Sequence, residues 1–380
     1  MKIAINTRFL LSGKLEGFGW YTYEITKRLV EQHPEHEFIF FFDRPFDPKF
    51  IFGTNVTPIV LNPPARHPVL YIYWFEVAVR SALKKVKADV FFSPDGYLSL
   101  LSNTPQISVI HDINFEHFPK DLPWSARVYL RCFFPLFAKK ATQIITVSEY
   151  SKQDIAETYK VTPQKIKTIW NGASDVFCPI DEAEKTSTKS RYAKKKPYFL
   201  FVGALHPRKN ITRLIDAFTL FKQKTKAEYQ LVIVGSSMWK KKAFQLKVSD
   251  EIKSEIHFTG HLELKELSKL MAAAEALTFV PYFEGFGIPL VEAMKCGTAI
   301  LSGNKTSLPE VAGEAAIYCD PFNVNDIALK LELLSLDGTL RKQLSTKGLE
   351  RGKKFNWDDS AKQVWQVIQT VLKNKAANYI

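Results

Sequence analysis

Short apolar runs recur at residues 2–5, 37–42, 90–92, 107–110 and 144–147, and longer stretches of helical spacing, such as 21–31 and 124–140, lie between them. A strand that is apolar along its whole length has to be covered on both faces. The alternation therefore predicts an open parallel sheet joined by crossover helices. A second series runs through 198–202, 230–234, 256–258, 276–279 and 299–301. Its first helix is marked by Ile211, Leu214, Ile215, Phe218 and Phe221, which share one face at helical spacing.

At 380 residues the chain is too long for one ordinary core and suits two domains of roughly 150 to 200 residues each. The segment 180–197 loses its apolar residues, gathers Ser, Thr and Lys and ends at Pro197, so it is predicted as the linker between domains at 1–179 and 198–355. Residues 356–380 form a helical tail in which Trp357, Val364, Val367 and Val371 need cover, and the tail is expected to return to the first domain. Open α/β sheets bind ligands beyond the carboxyl ends of their strands. Two such domains facing each other would make one interdomain cleft.

The start of the chain, with Asn6 and Arg8 inside its first apolar stretch, is too short and polar for a signal peptide. The longest aromatic-rich apolar stretch, 68–79, contains Glu76 and falls short of the roughly 20 residues that span a bilayer. Cys132, Cys178, Cys296 and Cys319 show neither disulfide nor zinc spacing, which suits a reducing cytoplasm. The formal charge of +13 gathers near Lys185 to Lys196, Lys222 to Lys226 and Lys240 to Lys242, without interleaved aromatics. That pattern favours a solvated face over a nucleic-acid site and leaves peripheral association with acidic lipid of the inner membrane as a second expectation.

Two segments placed directly after strands carry the chemistry. In Glu284-Gly285-Phe286-Gly287-Ile288-Pro289-Leu290-Val291-Glu292 the glycines admit a close ligand, and Pro289 suits the first turn of a helix. A helix beginning near Ile288 would offer free N–H groups to an anion such as a diphosphate. The competing reading is a Gly-rich turn with Glu292 on a helix surface. In Gly203-Ala204-Leu205-His206-Pro207-Arg208-Lys209-Asn210 two cations stand at a helix start, where the dipole opposes them unless an anion is bound. Exposed basic residues at a domain start are the plainer alternative. Gly13, Gly17 and Gly19 occupy a predicted loop before a helix starting near Trp20, in a spacing that differs from the dinucleotide fingerprint. His111-Asp112 follows the strand at 107–110, where a lone His is as readily structural as functional.

EGFGIPLVE followed by AMKCGTAI, VGALHPRKN, ITVSEYSKQDI and IWNGASDVFCP together resemble glycosyltransferase family 4 along nearly the whole chain. The resemblance implies a retaining enzyme of GT-B architecture, with two Rossmann-like domains. It implies that Glu292 binds the donor ribose, Arg208 and Lys209 the diphosphate, and Glu284 with the Phe286 and Gly287 backbone the transferred sugar. It places His111 near the reacting centre and Gly17 and Gly19 in an acceptor-side loop. HDINFEHFP and GFGWYT are similar to the bacterial mannosyltransferase branch, although Trp20 stands where many relatives carry Arg. The branch implies a nucleotide-diphosphate sugar as donor, GDP-mannose favoured, and a glycan or lipid-linked acceptor. A UDP-sugar-dependent glucosyl- or N-acetylhexosaminyltransferase is the alternative. A nucleotide-sugar epimerase would need an acid/base set that the sequence does not display, and a noncatalytic sugar-nucleotide sensor would be expected to lack Glu284 or Arg208.

No Asp-x-Asp element follows a strand here, and Arg208 and Lys209 can supply the charge that a metal supplies elsewhere. Full transferase activity is expected in EDTA. Activity abolished by the chelator and restored by Mg2+ or Mn2+ would overturn the metal-independent assignment.

Overall fold

The computed structural model describes residues 1–13, 15, 17–235 and 249–377; the basic cluster Lys240 to Lys242 lies outside the described residues. The chain divides into two compact units, one formed by Met1–Asn171 with the C-terminal segment from Trp357, the other by Gly172–Asn356.

The first unit holds strands β1 (Lys2–Asn6), β2 (Glu37–Phe42), β3 (Val56–Val60), β4 (Val90–Ser93), β5 (Gln106–Val109), β6 (Gln143–Thr146) and β7 (Ile166–Thr168). They pair in parallel in the order β3-β2-β1-β4-β5-β6-β7, with Ile3 opposite both Phe38 and Val90. Successive side chains leave a strand on opposite faces, and here both faces are filled. Ile3, Ile5, Phe38, Phe40 and Phe92 pack under Tyr21, Ile25 and Leu29 of the helix Gly17–Gln32. The same face is closed by Trp357, Val364, Trp365, Ile368 and Val371 of the helix Trp357–Ala377. On the other face Ala4, Ile39, Phe41 and Phe91 meet Trp74, Phe75, Phe134 and Phe137.

The second unit holds β8 (Tyr198–Val202), β9 (Gln230–Val234), β10 (Ile256–Gly260), β11 (Ala276–Phe279), β12 (Ala299–Gly303) and β13 (Ala316–Cys319), in the order β10-β9-β8-β11-β12-β13. All five residues of the apolar face read from the sequence, from Ile211 to Phe221, are buried on the helix Ile211–Thr225. In each sheet the order reverses once, between β1 and β4 in the first and between β8 and β11 in the second. These are the switch points at which loops diverge and leave a crevice.

Three strands lack a counterpart among those predicted, and each is an edge. β3 carries Pro58, β7 has three residues, and β13 is half-buried. An edge strand is covered less and so shows no continuous apolar run. The predicted linker at 180–197 also needs correction. Its larger part is the helix Glu182–Ala193 of the second unit, started by the Asp181 side chain accepting from the Glu184 N–H at 2.8 Å. Lys189 reaches Glu275 at 2.8 Å and Lys269 reaches Glu184 at 2.9 Å, so ion pairs and two buried residues, Thr188 and Ala193, hold a helix with no apolar stripe to announce it.

Ile368 is fully buried between the C-terminal helix and the first sheet. Ile368→Ala is expected to lower stability by roughly 2 to 5 kcal/mol, as for other large-to-small core changes. Urea unfolding checks it; a loss under about 0.5 kcal/mol, the size of an ordinary surface change, would contradict this packing.

Candidate functional site

At the switch point of the second sheet the loop after β8 meets the loop after β11. Pro207–Lys209 form a single tight turn in which His206 Nδ1 accepts from the Arg208 N–H at 3.3 Å. The turn ends at Asn210, held in the left-handed region at φ 62°, from which the helix Ile211–Thr225 departs. The buried Asn210 amide donates to Val280 O at 2.9 Å and to Pro321 O at 2.6 Å, and its oxygen accepts from Arg213 at 2.8 Å. The Tyr282 N–H closes the join on Arg208 O at 3.1 Å. The two cations are thereby fixed against the strand end they face.

What they face is Glu284. Arg208 Nη1 and Lys209 Nζ lie 2.7 and 2.5 Å from the same oxygen, Oε1, and Arg208 Nη1 also donates to Phe283 O at 3.2 Å. Burial alone would raise the Glu284 pKa, but the two cations outweigh it and hold the carboxyl below its ordinary value. The Glu284 backbone is tied as well: its N–H donates to Thr306 Oγ1 at 3.2 Å and its carbonyl accepts from Ser307 Oγ at 2.9 Å.

Beyond Glu284 the chain turns through Gly285 and the buried Phe286 to Gly287, whose φ of 95° suits glycine. The helix Ile288–Cys296 starts there with no side chain capping it; Pro289 has no N–H and the Leu290 N–H donates to Gly287 O at 2.9 Å, so the Ile288 N–H and the positive end of the helix, rather than a full turn of free N–H groups, are what it offers an anion. Glu292, one turn on, makes no ion pair or side-chain hydrogen bond with any described residue, and burial pushes its pKa up to about 7. One element thus carries two carboxyls of opposite character. Glu284 stays ionised among cations, while Glu292 waits unpartnered.

The first unit repeats the device. At the switch point between β1 and β4, Arg8 Nε lies 2.6 Å from Asp95 Oδ2, both side chains being almost fully buried. Asn6 Nδ2 donates to Asp95 Oδ1 at 2.9 Å, and the Arg8 guanidinium stands 4.2 Å from the Tyr97 ring centroid. Burial works against the Arg8 charge, but Asp95 beside it prevails and the pKa rises. His111, just past β5, has Nε2 2.8 Å from Pro94 O and its ring against Phe18 and Tyr21. A carbonyl can only accept, so Nε2 carries the proton; burial lowers the ring pKa and leaves Nδ1 as an acceptor.

Gly17 and Gly19 do not lie in a loop as predicted; they form the first turn of the helix Gly17–Gln32. A Cβ on Gly19 would sit 2.8 Å from Phe9 O, whereas one on Gly17 would meet nothing within 4 Å. Gly19 therefore lets the helix pack close, and the exposed Phe18 between the two glycines touches His111. The structure brings Arg208, Lys209, Glu284, Gly285, Phe286, Gly287, Ile288 and Glu292 to one end of the second sheet, and His111, Gly17 and Gly19 to the first unit. Sequence reasoning missed the Arg8–Asp95 pair and Asn210. Arg8 and Asp95 each lie two residues past a strand end, a signal available in the sequence. Among the described residues no group of three or more His, Cys, Asp or Glu is placed to hold a metal ion.

Residues 15–176 match the family described as Glycosyltransferase Family 4, and residues 182–351 match Glycosyl transferases group 1. The O-antigen chain mannosyltransferase B of Escherichia coli is 29% identical over 284 residues, 74% of this chain and 74% of that protein. The O-antigen chain mannosyltransferase RfbU of Salmonella typhimurium is 30% identical over 257 residues, 67% of each. Among solved structures, Anabaena HepE in complex with UDP and glucose superposes with a TM-score of 0.75 at 16% identity, covering 97% of this chain and 100% of that one. Its likeness is one of fold, the GT-B architecture of two parallel-sheet Rossmann-like units. With both halves matched in order and the relatives spanning most of the chain, the protein belongs to glycosyltransferase family 4 and is a glycosyltransferase.

Proposed function

We propose that the protein moves a mannosyl residue, with retention, from a nucleotide-diphosphate sugar to a glycan or lipid-linked acceptor in cell-surface polysaccharide synthesis. The carrying observation is the meeting of Arg208 and Lys209 on Glu284 beside the uncapped helix Ile288–Cys296. Mannose is favoured because the O-antigen relatives are named mannosyltransferases, and GDP because it is the donor nucleotide that the family resemblance implies. The UDP and glucose held by HepE support a UDP-sugar donor as the second reading. The protein would work at the cytoplasmic face of the inner membrane; no helix among the described residues is long and apolar enough to cross it.

In this mechanism the bond from anomeric carbon to diphosphate oxygen breaks and its electron pair stays on the diphosphate. Arg208, Lys209 and the positive end of the helix Ile288–Cys296 stabilise that charge without reorganising, which makes a metal unnecessary. The acceptor hydroxyl forms the new bond from the leaving-group side, and its proton passes to the departing phosphate oxygen. Glu284 orients the sugar with the Phe286 and Gly287 backbone, Glu292 accepts from the ribose hydroxyls, and His111 contacts the sugar through Nδ1. Gly17 and Gly19 lie on the acceptor side, where Gly19 lets their helix approach.

Arg208→Ala and Lys209→Ala are each expected to weaken nucleoside diphosphate binding and turnover by about 1.5 to 3 kcal/mol, the worth of one charge-assisted bond. Calorimetry with GDP and UDP measures it, and unchanged affinity in both variants would sink the assignment.

Ribose hydroxyls favour the ionised Glu292, so the complex has the lower pKa and binding releases a proton. Affinity should be full above pH 7 and fall as the pH drops below it, by up to about tenfold per unit. The nucleotide phosphate titrates in a similar range, so Glu292→Gln is the control: the part of the pH dependence owed to the carboxyl should vanish in it. Identical pH profiles for the variant and the parent protein would remove Glu292 from the nucleotide site.

A further inference from the structure

The loop that leaves β12 runs beside the Glu284 turn, and one of its residues has a backbone that its side chain disfavours. Seven described residues other than glycine have a positive φ; five are lysines at or next to helix ends, and one is Asn210. The seventh is Thr306, at φ 56°. A β-branched side chain crowds its own backbone there, so Thr rarely enters the left-handed region. Strain of this kind persists only where the surroundings impose it, and it points to a use.

The hydrogen bonds show the use. Thr306 Oγ1 accepts from the Glu284 N–H at 3.2 Å and donates to Lys305 O at 2.8 Å. Its neighbour, the fully buried Ser307, donates from Oγ to Glu284 O at 2.9 Å. Consecutive side chains thus hold both backbone groups of one residue. An extended chain would send two successive side chains to opposite sides, and the left-handed step at Thr306 turns both toward Glu284. The loop is itself pinned: the Asn304 N–H donates to Cys319 O at 2.9 Å, and a Cβ on Gly303 would lie 3.0 Å from Pro281 O.

Glu284 has a long, rotatable side chain whose far end is drawn by two cations, Arg208 and Lys209, at the single oxygen Oε1. With only that end tied, the carboxylate would move wherever the cations move. Tying the near end through Thr306 and Ser307 leaves it one position. We propose that Thr306 is a positioning residue for Glu284, kept in an unfavourable backbone conformation because there its hydroxyl meets the Glu284 N–H. Its single O–H is engaged by Lys305 O, so Thr306 acts through Glu284 and not on the sugar. The purpose of this clamp rests on the proposed sugar transfer; the clamp itself does not.

The test compares Thr306→Gly, which accepts the left-handed backbone but removes the hydroxyl, with Thr306→Ser, which keeps it. Turnover of GDP-mannose, with UDP-glucose as the second donor, should fall in Thr306→Gly on the order of a hundredfold, the penalty for a displacement of about an ångström at a reacting centre. GDP affinity by calorimetry should be retained, because Arg208 and Lys209 remain, and this also shows that the variant is folded. Thr306→Ser should bring turnover back. A second readout needs no substrate. The Glu284 carboxyl, followed by 13C NMR and identified by its absence from Glu284→Gln, should titrate below its ordinary value in the parent protein and in Thr306→Ser, and nearer to that value in Thr306→Gly. Parental turnover or an unshifted Glu284 titration in Thr306→Gly would overturn the positioning role, as would a serine variant that behaves like the glycine one. A parent protein that binds GDP yet turns over neither donor would sink the proposed function, and the titration would then decide the role of Thr306.

Discussion

A carboxylate as buried as Glu284 stays charged only while cations are held beside it, and the loops of the second sheet are arranged to hold them. The requirement is geometric. Arg208 and Lys209 are neighbours in sequence, so a tight turn is needed to bring both to one oxygen, and that turn needs a fixed platform. The platform is β8 and β11, adjacent at the point where the strand order reverses, each buried along its length. Two-sided burial makes the strands rigid, rigidity fixes their ends, and fixed ends let two loops keep three charges within hydrogen-bonding distance.

The same logic governs Arg8 and Asp95, with a different outcome. Arg8 is enclosed by Asp95 and by the rings of Phe9, Tyr71, Phe75 and Tyr97, so its charge is consumed within the first unit. Arg208 retains more exposure and shares its carboxylate with a second cation. One pair serves as an internal strut. The other is a charge cluster with a surplus of positive charge, the condition under which an arriving anion is welcome.

The central strands could be read from sequence because burial on both faces writes itself as an unbroken apolar run, as in 37–42 and 198–202. The edges β3, β7 and β13 could not, since partial cover leaves no such run and Pro58 even argues against a strand. The helix Glu182–Ala193 was hidden for a related reason: ion pairs with Glu275 and Lys269 hold it, and polar contacts leave no periodic trace. At the site, Arg208, Lys209, Glu284 and Glu292 were legible because two cations at a helix start, and glycines leading into another, form the pattern that an anion site requires. Asn210 was not, because its role depends on two carbonyls that no spacing rule connects to it.

Those two carbonyls give Asn210 a reach beyond its own loop. Its amide hydrogens are shared between Val280 and Pro321, the latter 111 positions away and just past the edge strand β13. The cations are thus braced from the outermost strand of the sheet as well as from its centre. Drift in the backbone at 320–323, at the far margin of the unit, would be transmitted as a tilt of the turn that carries Arg208 and Lys209. A segment with no chemistry of its own is in this way denied the freedom that surface loops usually enjoy.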